Sequence, residues 1–265
     1  MSATAAAQPF YIKDDFSAGD LSFNKNGFAW EGTRTANDPS SPTHIAPSVR
    51  NGKSGHGLHI FYRAGSNWSE KRFDIGSAHR ELWIRYWIKV PDNFQHGSGS
   101  PHNNKFFAIW MDDYSSKGEG PTVFWNYWRS SEGANLTVSN SIGQRKVSGP
   151  NVERVPFIRV PQDRGRWMQM VFRVKASTNR SSNDGIIETY RRWEGENSFT
   201  KIQEVRDANM AVPPTGPNGW RRGYVMGYAN ASYARDTTWI IDEIEFSNSS
   251  LLDNNSPPMP PHPLH

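Results

Sequence analysis

Alternation of apolar and polar residues is the feature that most limits how this chain can fold. The stretch ELWIRYWIKV, residues 81–90, shows it in full. With a period of two, Leu82, Ile84, Tyr86, Ile88 and Val90 share one face, while Trp83, Arg85, Trp87 and Lys89 share the other. Strand patterns of this kind recur at residues 58–64, 105–111, 122–130, 135–141, 166–176, 185–195, 223–231 and 237–247. These segments are rich in aromatic and β-branched residues, and clusters of Gly, Pro, Asn, Asp and Ser separate them. No segment of helical length carries a sustained i, i+3, i+4 apolar stripe. The expectation is an all-β chain folded as a large two-sheet antiparallel sandwich.

A sandwich of this kind accommodates most of the 265 residues as one domain. The expected division is an N-terminal arm at 1–9, a single sandwich at 10–250 and a Pro-rich tail at 251–265 ending PPMPPHPLH. Residues 91–104, PDNFQHGSGSPHNN, read as a flexible polar loop, and 206–222 as an irregular stretch full of Pro and Gly. There is no internal repeat.

Aromatic residues make up 13% of the chain, with 11 Trp, which is ample material for a core despite 21% charged residues. The net charge of +4 is not gathered into Lys/Arg runs, so a nucleic-acid partner is not expected. The absence of Cys excludes disulfides, thiolate catalysis and Cys-based zinc sites. His96 and His102 lie in one loop with no carboxylate near them in sequence, a poor metal signal. The start, MSATAAAQPF, lacks the charged and apolar regions of a signal peptide, and no apolar run reaches membrane-spanning length. The expectation is a protein made in a cytoplasm, without an export signal or a membrane partner.

Four segments in order resemble a known pattern: DDFSAGDLS, ELWIRYWIKVPDNF followed by NNKFF, the pair GRWMQMVFRVKAS and DGIIETYRRWEG, and WIIDEIEFS. The chain resembles the concanavalin A-like lectin/glucanase superfamily, and within it the jelly-roll polysaccharide lyases that cleave alginate and glucuronan. The resemblance spans about 14–247 and implies a jelly roll with one bent sheet whose concave face forms a glycan groove. It puts Leu82, Ile84, Tyr86 and their neighbours between the sheets and Trp83, Arg85, Trp87 and Lys89 along the groove. Trp125 and Trp167 join them as candidate glycan or interface residues. Indoles suit sugar because a flat apolar ring stacks on the C–H face of a pyranose, and cations pair with uronate carboxylates or sulfates. Arg85 and Lys89 lying over the indoles with no ligand is the other reading.

Elimination on a uronate requires a group that neutralises the carboxylate, a base for the α-proton and an acid for the leaving oxygen. Lys105 follows Asn103 and Asn104 where the lyases have Gly-Lys, and Tyr127, Arg129 and Gln169 could complete a set. The sequence departs from the lyase pattern at both the Ser-x-Arg and the Tyr-x-Tyr pairs. TVFWNYWRS has Val-Phe-Trp in place of the first, and NLTVSNS has no tyrosine. Members of this superfamily often bind a structural Ca²⁺ where first and last strands meet. Asp14, Asp15, Asp242 and Glu243 fit that role, or serve as edge charges that discourage strand pairing. No other cofactor is expected.

Together these features point to a non-catalytic glycan-binding or structural jelly-roll protein, part of a larger particle such as a phage capsid decoration or tail-associated protein. Its partners would be an acidic polysaccharide or other glycan, and further copies or virion proteins held through the terminal arms. A polysaccharide lyase acting on uronate polymers is the alternative. A third reading makes the aromatic face a subunit contact, since Trp, Tyr and Arg are also enriched at protein–protein hot spots.

Overall fold

The computed structural model describes residues 9–32, 42–114, 118–142, 145–147 and 154–252. Of the terminal segments from which a docking role was expected, 1–9 and 251–265, residues 1–8 and 253–265 lie outside the described residues. Among those described there is no helix. Chain order begins with β1 (Tyr11–Asp14), β2 (Ala29–Glu31), β3 (Thr43–Arg50), β4 (Lys53–Tyr62) and β5 (Glu70–His79). It continues with β6 (Glu81–Lys89), β7 (Asn103–Trp110), β8 (Pro121–Ser130), β9 (Gly133–Ile142) and β10 (Arg145–Val147). The last six are β11 (Val155–Arg159), β12 (Trp167–Lys175), β13 (Gly185–Trp193), β14 (Thr200–Ala208), β15 (Trp220–Met226) and β16 (Thr237–Ser247).

The strands form two antiparallel sheets. Sheet A runs β14-β13-β12-β6-β16-β4-β3, with β1 added along β16, and sheet B runs β10-β9-β8-β7-β15-β5-β2, with β11 added along β9. This is the two-sheet antiparallel sandwich expected from the alternation, with the jelly-roll architecture that the resemblance implied. The inner residues of β6 (Leu82, Ile84, Tyr86, Ile88) and β12 (Met168, Met170, Phe172, Val174) are fully buried. They face Phe107, Ile109, Val123, Trp125 and Tyr127 from β7 and β8. Phe107 and Phe172 stack across the interior with centroids 4.6 Å apart, an offset pairing favoured by the ring quadrupoles. The Trp125 indole donates 2.7 Å to Thr189 Oγ1 of the opposite sheet, so its one polar atom is satisfied inside the core.

Loop 91–104 is less free than its composition suggested. Phe94 and His96 are buried, and a Cβ on Gly97 would meet the Ser232 carbonyl oxygen at 2.1 Å. The small residues of this loop permit a close pass over residues 229–232, whereas their sequence alone reads as flexibility.

Candidate functional site

Sheet A turns the second face of β6 away from the sandwich, but the chain itself covers that face. Trp83, Arg85 and Trp87 are only 5–6% exposed. The Arg85 guanidinium donates to both oxygens of Glu245, at 3.0 and 2.9 Å, and to the Leu251 carbonyl at 2.8 Å. Tyr11 adds a hydroxyl donor to the same carboxylate at 2.7 Å. Trp83 packs with Val171, Tyr190 and Leu251, and the Arg173 guanidinium lies 5.1 Å from its ring. Trp87 lies beneath Arg50, which comes from the β3–β4 hairpin at 4.7 Å, with Arg192 at 5.6 Å. Lys89 pairs with Asp92, Trp167 donates to the Val49 carbonyl, and Gln169 accepts from Arg192. The indoles and cations that alternate in the sequence therefore meet one another, a carboxylate and the chain's own C-terminal segment.

The sequence-derived catalytic set does not converge. Tyr127 lies in the interior, sharing a hydroxyl contact with Tyr233, and burial pushes its phenol well above the ordinary value. Gln169 lies on the outer face of sheet A, and Arg129 is exposed at the end of β8. Lys105 alone of the four is on the outer face of sheet B, its ammonium 4.5 Å from the Phe124 ring. Trp125 is a core residue.

The outer face of sheet B is aromatic along its middle. Trp110, Tyr114 and Tyr224 form a triangle with centroid separations of 5.3, 5.9 and 5.6 Å, next to Phe124 and Ala108. Burial raises the phenols of Tyr114 and Tyr224, so at neutral pH both are hydrogen-bond donors and not bases. Two arginines on this face are matched by acids: Arg72 bonds Glu70 at 2.6 Å, and Arg222 bonds Asp74 at 2.9 Å. Hydrogen bonds from Arg221, Gly76 and Arg222 overcome the burial of Asp74 and hold its carboxyl below the usual range. Asn126, between Lys105 and Thr137 in the ladder, is buried with its Oδ1 unpartnered among the described residues. A Cβ on Gly227 would lie 2.8 Å from the Lys105 Cβ and 3.1 Å from the Tyr224 ring, so only glycine lets the chain pass here.

Just beyond Gly227 the surface changes character. Trp68 and Tyr228 are 53% and 40% exposed, and their rings meet edge-on at 5.8 Å. The Tyr228 carbonyl accepts from the Lys105 amide at 3.0 Å, which fixes this pair at the end of sheet B where β7 begins. Asn67 holds the two loops together, its side chain donating 2.6 Å to the Ala229 carbonyl. Sequence reading passed over both rings, because Tyr228 sat in an apparent strand and Trp68 in a polar loop. The available signal was an indole in GSNWSEK, with no alternating neighbours to bury it.

The paired acids are spent on donors within the fold. β1 does pair with β16, so the first and last strands are neighbours. Asp14 accepts from the Phe16 amide and the Trp30 indole, and burial raises its pKa. Asp15 accepts from the Ser17 amide. Arg50 bridges Asp242 at 2.8 Å and Glu243 at 2.9 Å, with Lys13 at 3.5 Å from Glu243. Among the described residues no three His, Asp or Glu side chains are grouped to hold a metal ion. The oxygen-rich cage that Ca²⁺ requires is not assembled from these four.

No protein-family model matches the chain, and no curated protein matches it in sequence. Solved structures do match in fold. The marine alginate lyase from Aplysia kurodai superposes with a TM-score of 0.54 at 13% identity, over 76% of this chain and 86% of that one. The alginate lyase Aly36B, solved in complex with alginate tetrasaccharide, gives 0.54 at 9% identity over 86% and 96%. The Chlorella virus alginate lyase vAL-1 gives 0.50 at 12% identity over 78% and 89%. The fold is thus an all-β jelly roll similar to that of these alginate lyases, the proteins that the sequence motifs resemble. At these identities the likeness is one of architecture.

Proposed function

We propose that this chain is a glycan-binding jelly-roll protein and that its contact surface is the end of sheet B bearing Trp68, Tyr228 and Lys105. The observation that carries this reading is the exposed aromatic pair. Three large apolar side chains are exposed among the described residues, and two of them are in ring contact with each other beside the strand that carries Lys105. Exposed rings of this kind lose little on meeting water and gain by stacking on the apolar face of a sugar. Neighbours of the same architecture that act on or hold alginate support a carbohydrate ligand. The scattering of Lys105, Tyr127, Arg129 and Gln169 over three environments favours binding over elimination by that set.

The test is calorimetric titration of the protein and of a Trp68→Ala/Tyr228→Ala variant with a panel of neutral and acidic hexasaccharides. The reading expects a binding ligand whose affinity falls at least tenfold in the variant. A folded protein that binds none, or a variant that binds as tightly, would remove it. Ultraviolet absorbance from an unsaturated uronate product in the same mixtures would restore the lyase alternative.

A further inference from the structure

The loops that carry Trp68 and Tyr228 continue into a second feature. The Gly65 amide donates to the Tyr233 carbonyl and the Ala64 amide to the Asp236 carboxylate, both at 2.8 Å, so residues 63–68 and 227–237 form one surface. At its other side is a pocket of about 260 Å³ lined by Arg164, Arg235, Asn93, Gln95 and Asp92, with Tyr233 almost fully buried beneath it.

The charges of this pocket are unbalanced in a specific way. Most arginines of this protein that carry buried or half-buried guanidiniums have a carboxylate, as Arg50, Arg85, Arg173 and Arg222 do. Arg164 and Arg235 have none among the described residues. Arg164 is held by its Nε, which donates 2.8 Å to the Phe94 carbonyl, and Arg235 is exposed. The nearby acids are engaged elsewhere, Asp92 with Lys89 at 3.0 Å and Asp236 with the Ala64 amide. Asn93 gives its amide hydrogen to the Asp236 carbonyl, which leaves its side-chain oxygen as an acceptor for a hydroxyl. Two guanidiniums around one cavity repel each other unless an anion lies between them, and the planar fork of arginine matches carboxylate or sulfate.

We infer that this pocket binds the carboxylate or sulfate of an acidic sugar, at a site separate from the aromatic face of sheet B. The inference rests on the glycan reading above and adds the ligand's charge and where it docks. Arg164 and Arg235 take the oxyanion, and Asn93 and Gln95 take ring hydroxyls.

The experiment titrates wild type, Arg164→Gln and Arg235→Gln with trigalacturonate, cellotriose and sodium sulfate. Arg235→Gln removes no side-chain hydrogen bond or ion pair among the described residues, so it remains informative even if Arg164→Gln folds poorly. The expected result is binding of trigalacturonate that weakens about tenfold in either variant and falls with added salt, with cellotriose unchanged. No binding of trigalacturonate, equal affinity for cellotriose, or no change in Arg235→Gln would each overturn the inference. Sulfate binding as tightly as trigalacturonate would show a site for free anions and overturn the sugar assignment. If Trp68→Ala/Tyr228→Ala leaves trigalacturonate binding intact while Arg235→Gln abolishes it, the aromatic platform fails and the pocket stands.

Discussion

The outer face of sheet A and the loop-built end of sheet B carry the same ingredients, indoles beside cations, and use them oppositely. On β6 the two indoles are almost fully enclosed and Arg85 is locked to Glu245 and the Leu251 carbonyl. At the sheet B end, Trp68 and Tyr228 are exposed to solvent, and around the corner lie Arg164 and Arg235, which have no carboxylate partner among the described residues. An amphipathic aromatic strand therefore does not by itself mark a binding face. What separates the two regions is whether the chain has another segment to lay across the rings. Sheet A has the β3–β4 hairpin and residues 251–252, whereas among the described residues no segment lies across Trp68 and Tyr228.

This contrast breaks most sharply at the buried ion pair. Arg85→Ala leaves Glu245 buried with only Tyr11 to satisfy it, and the expected cost is about 3–5 kcal/mol in urea denaturation. A loss below 1 kcal/mol would mean that the cover over sheet A opens readily and that this face is accessible after all.

A smaller effect concerns pH, again on the covered side. His59 faces His44 across the β3–β4 ladder, and burial, with help from the neighbouring His44, lowers its pKa to about 4. The folded state thus prefers neutral His59. Its contribution is complete above the ordinary value of 6.5 and is lost as pH falls from there towards 4. His79 and His96, lowered by burial, add in the same direction. His59→Gln should flatten stability between pH 6.5 and 4, and an unchanged slope would place the titration elsewhere. Glu188 acts lower. Its burial is outweighed by hydrogen bonds from Arg173, Tyr190 and Lys201, which hold it at about 2, so its share disappears only as pH falls from 4.5 towards 2.

The smallest expected change in stability belongs to the exposed pair. Trp68→Ala should shift unfolding by less than about 0.5 kcal/mol, as for exposed surface residues away from the core, while glycan affinity falls. A large loss of stability would make Trp68 a packing residue and dissolve the comparison.

Much of the fold was legible in the sequence because sheet interiors impose their period. The expected strand at 237–247 matches β16 residue for residue, and 81–90 matches β6 to within one. Two of the strands that alternation missed are explained by position. β3 contains Pro47, tolerated because β3 ends sheet A and one side of its backbone has no partner strand. β14, TKIQEVRDA, is the other edge, where charges are favoured over apolar residues. β15 stops at Met226, whose φ of 57° and the close pass of Gly227 end the apparent strand that ran to 231. The candidate site was less legible. Which face is covered depends on Leu251, Arg50 and Tyr11, which are far from β6 in sequence and invisible to a local period. Lys105 was placed by a motif, but Trp68, Tyr228, Arg164 and Arg235 come together only through loop packing.

The bond from Arg85 to the Leu251 carbonyl also sets a direction. It pins the chain to the outside of sheet A just before residue 253, on the side of the sandwich opposite the aromatic face of sheet B. A tether attached at residue 252 would hold the molecule by its back, so that a surface coated through that tether would present the Phe124–Tyr224 face outward.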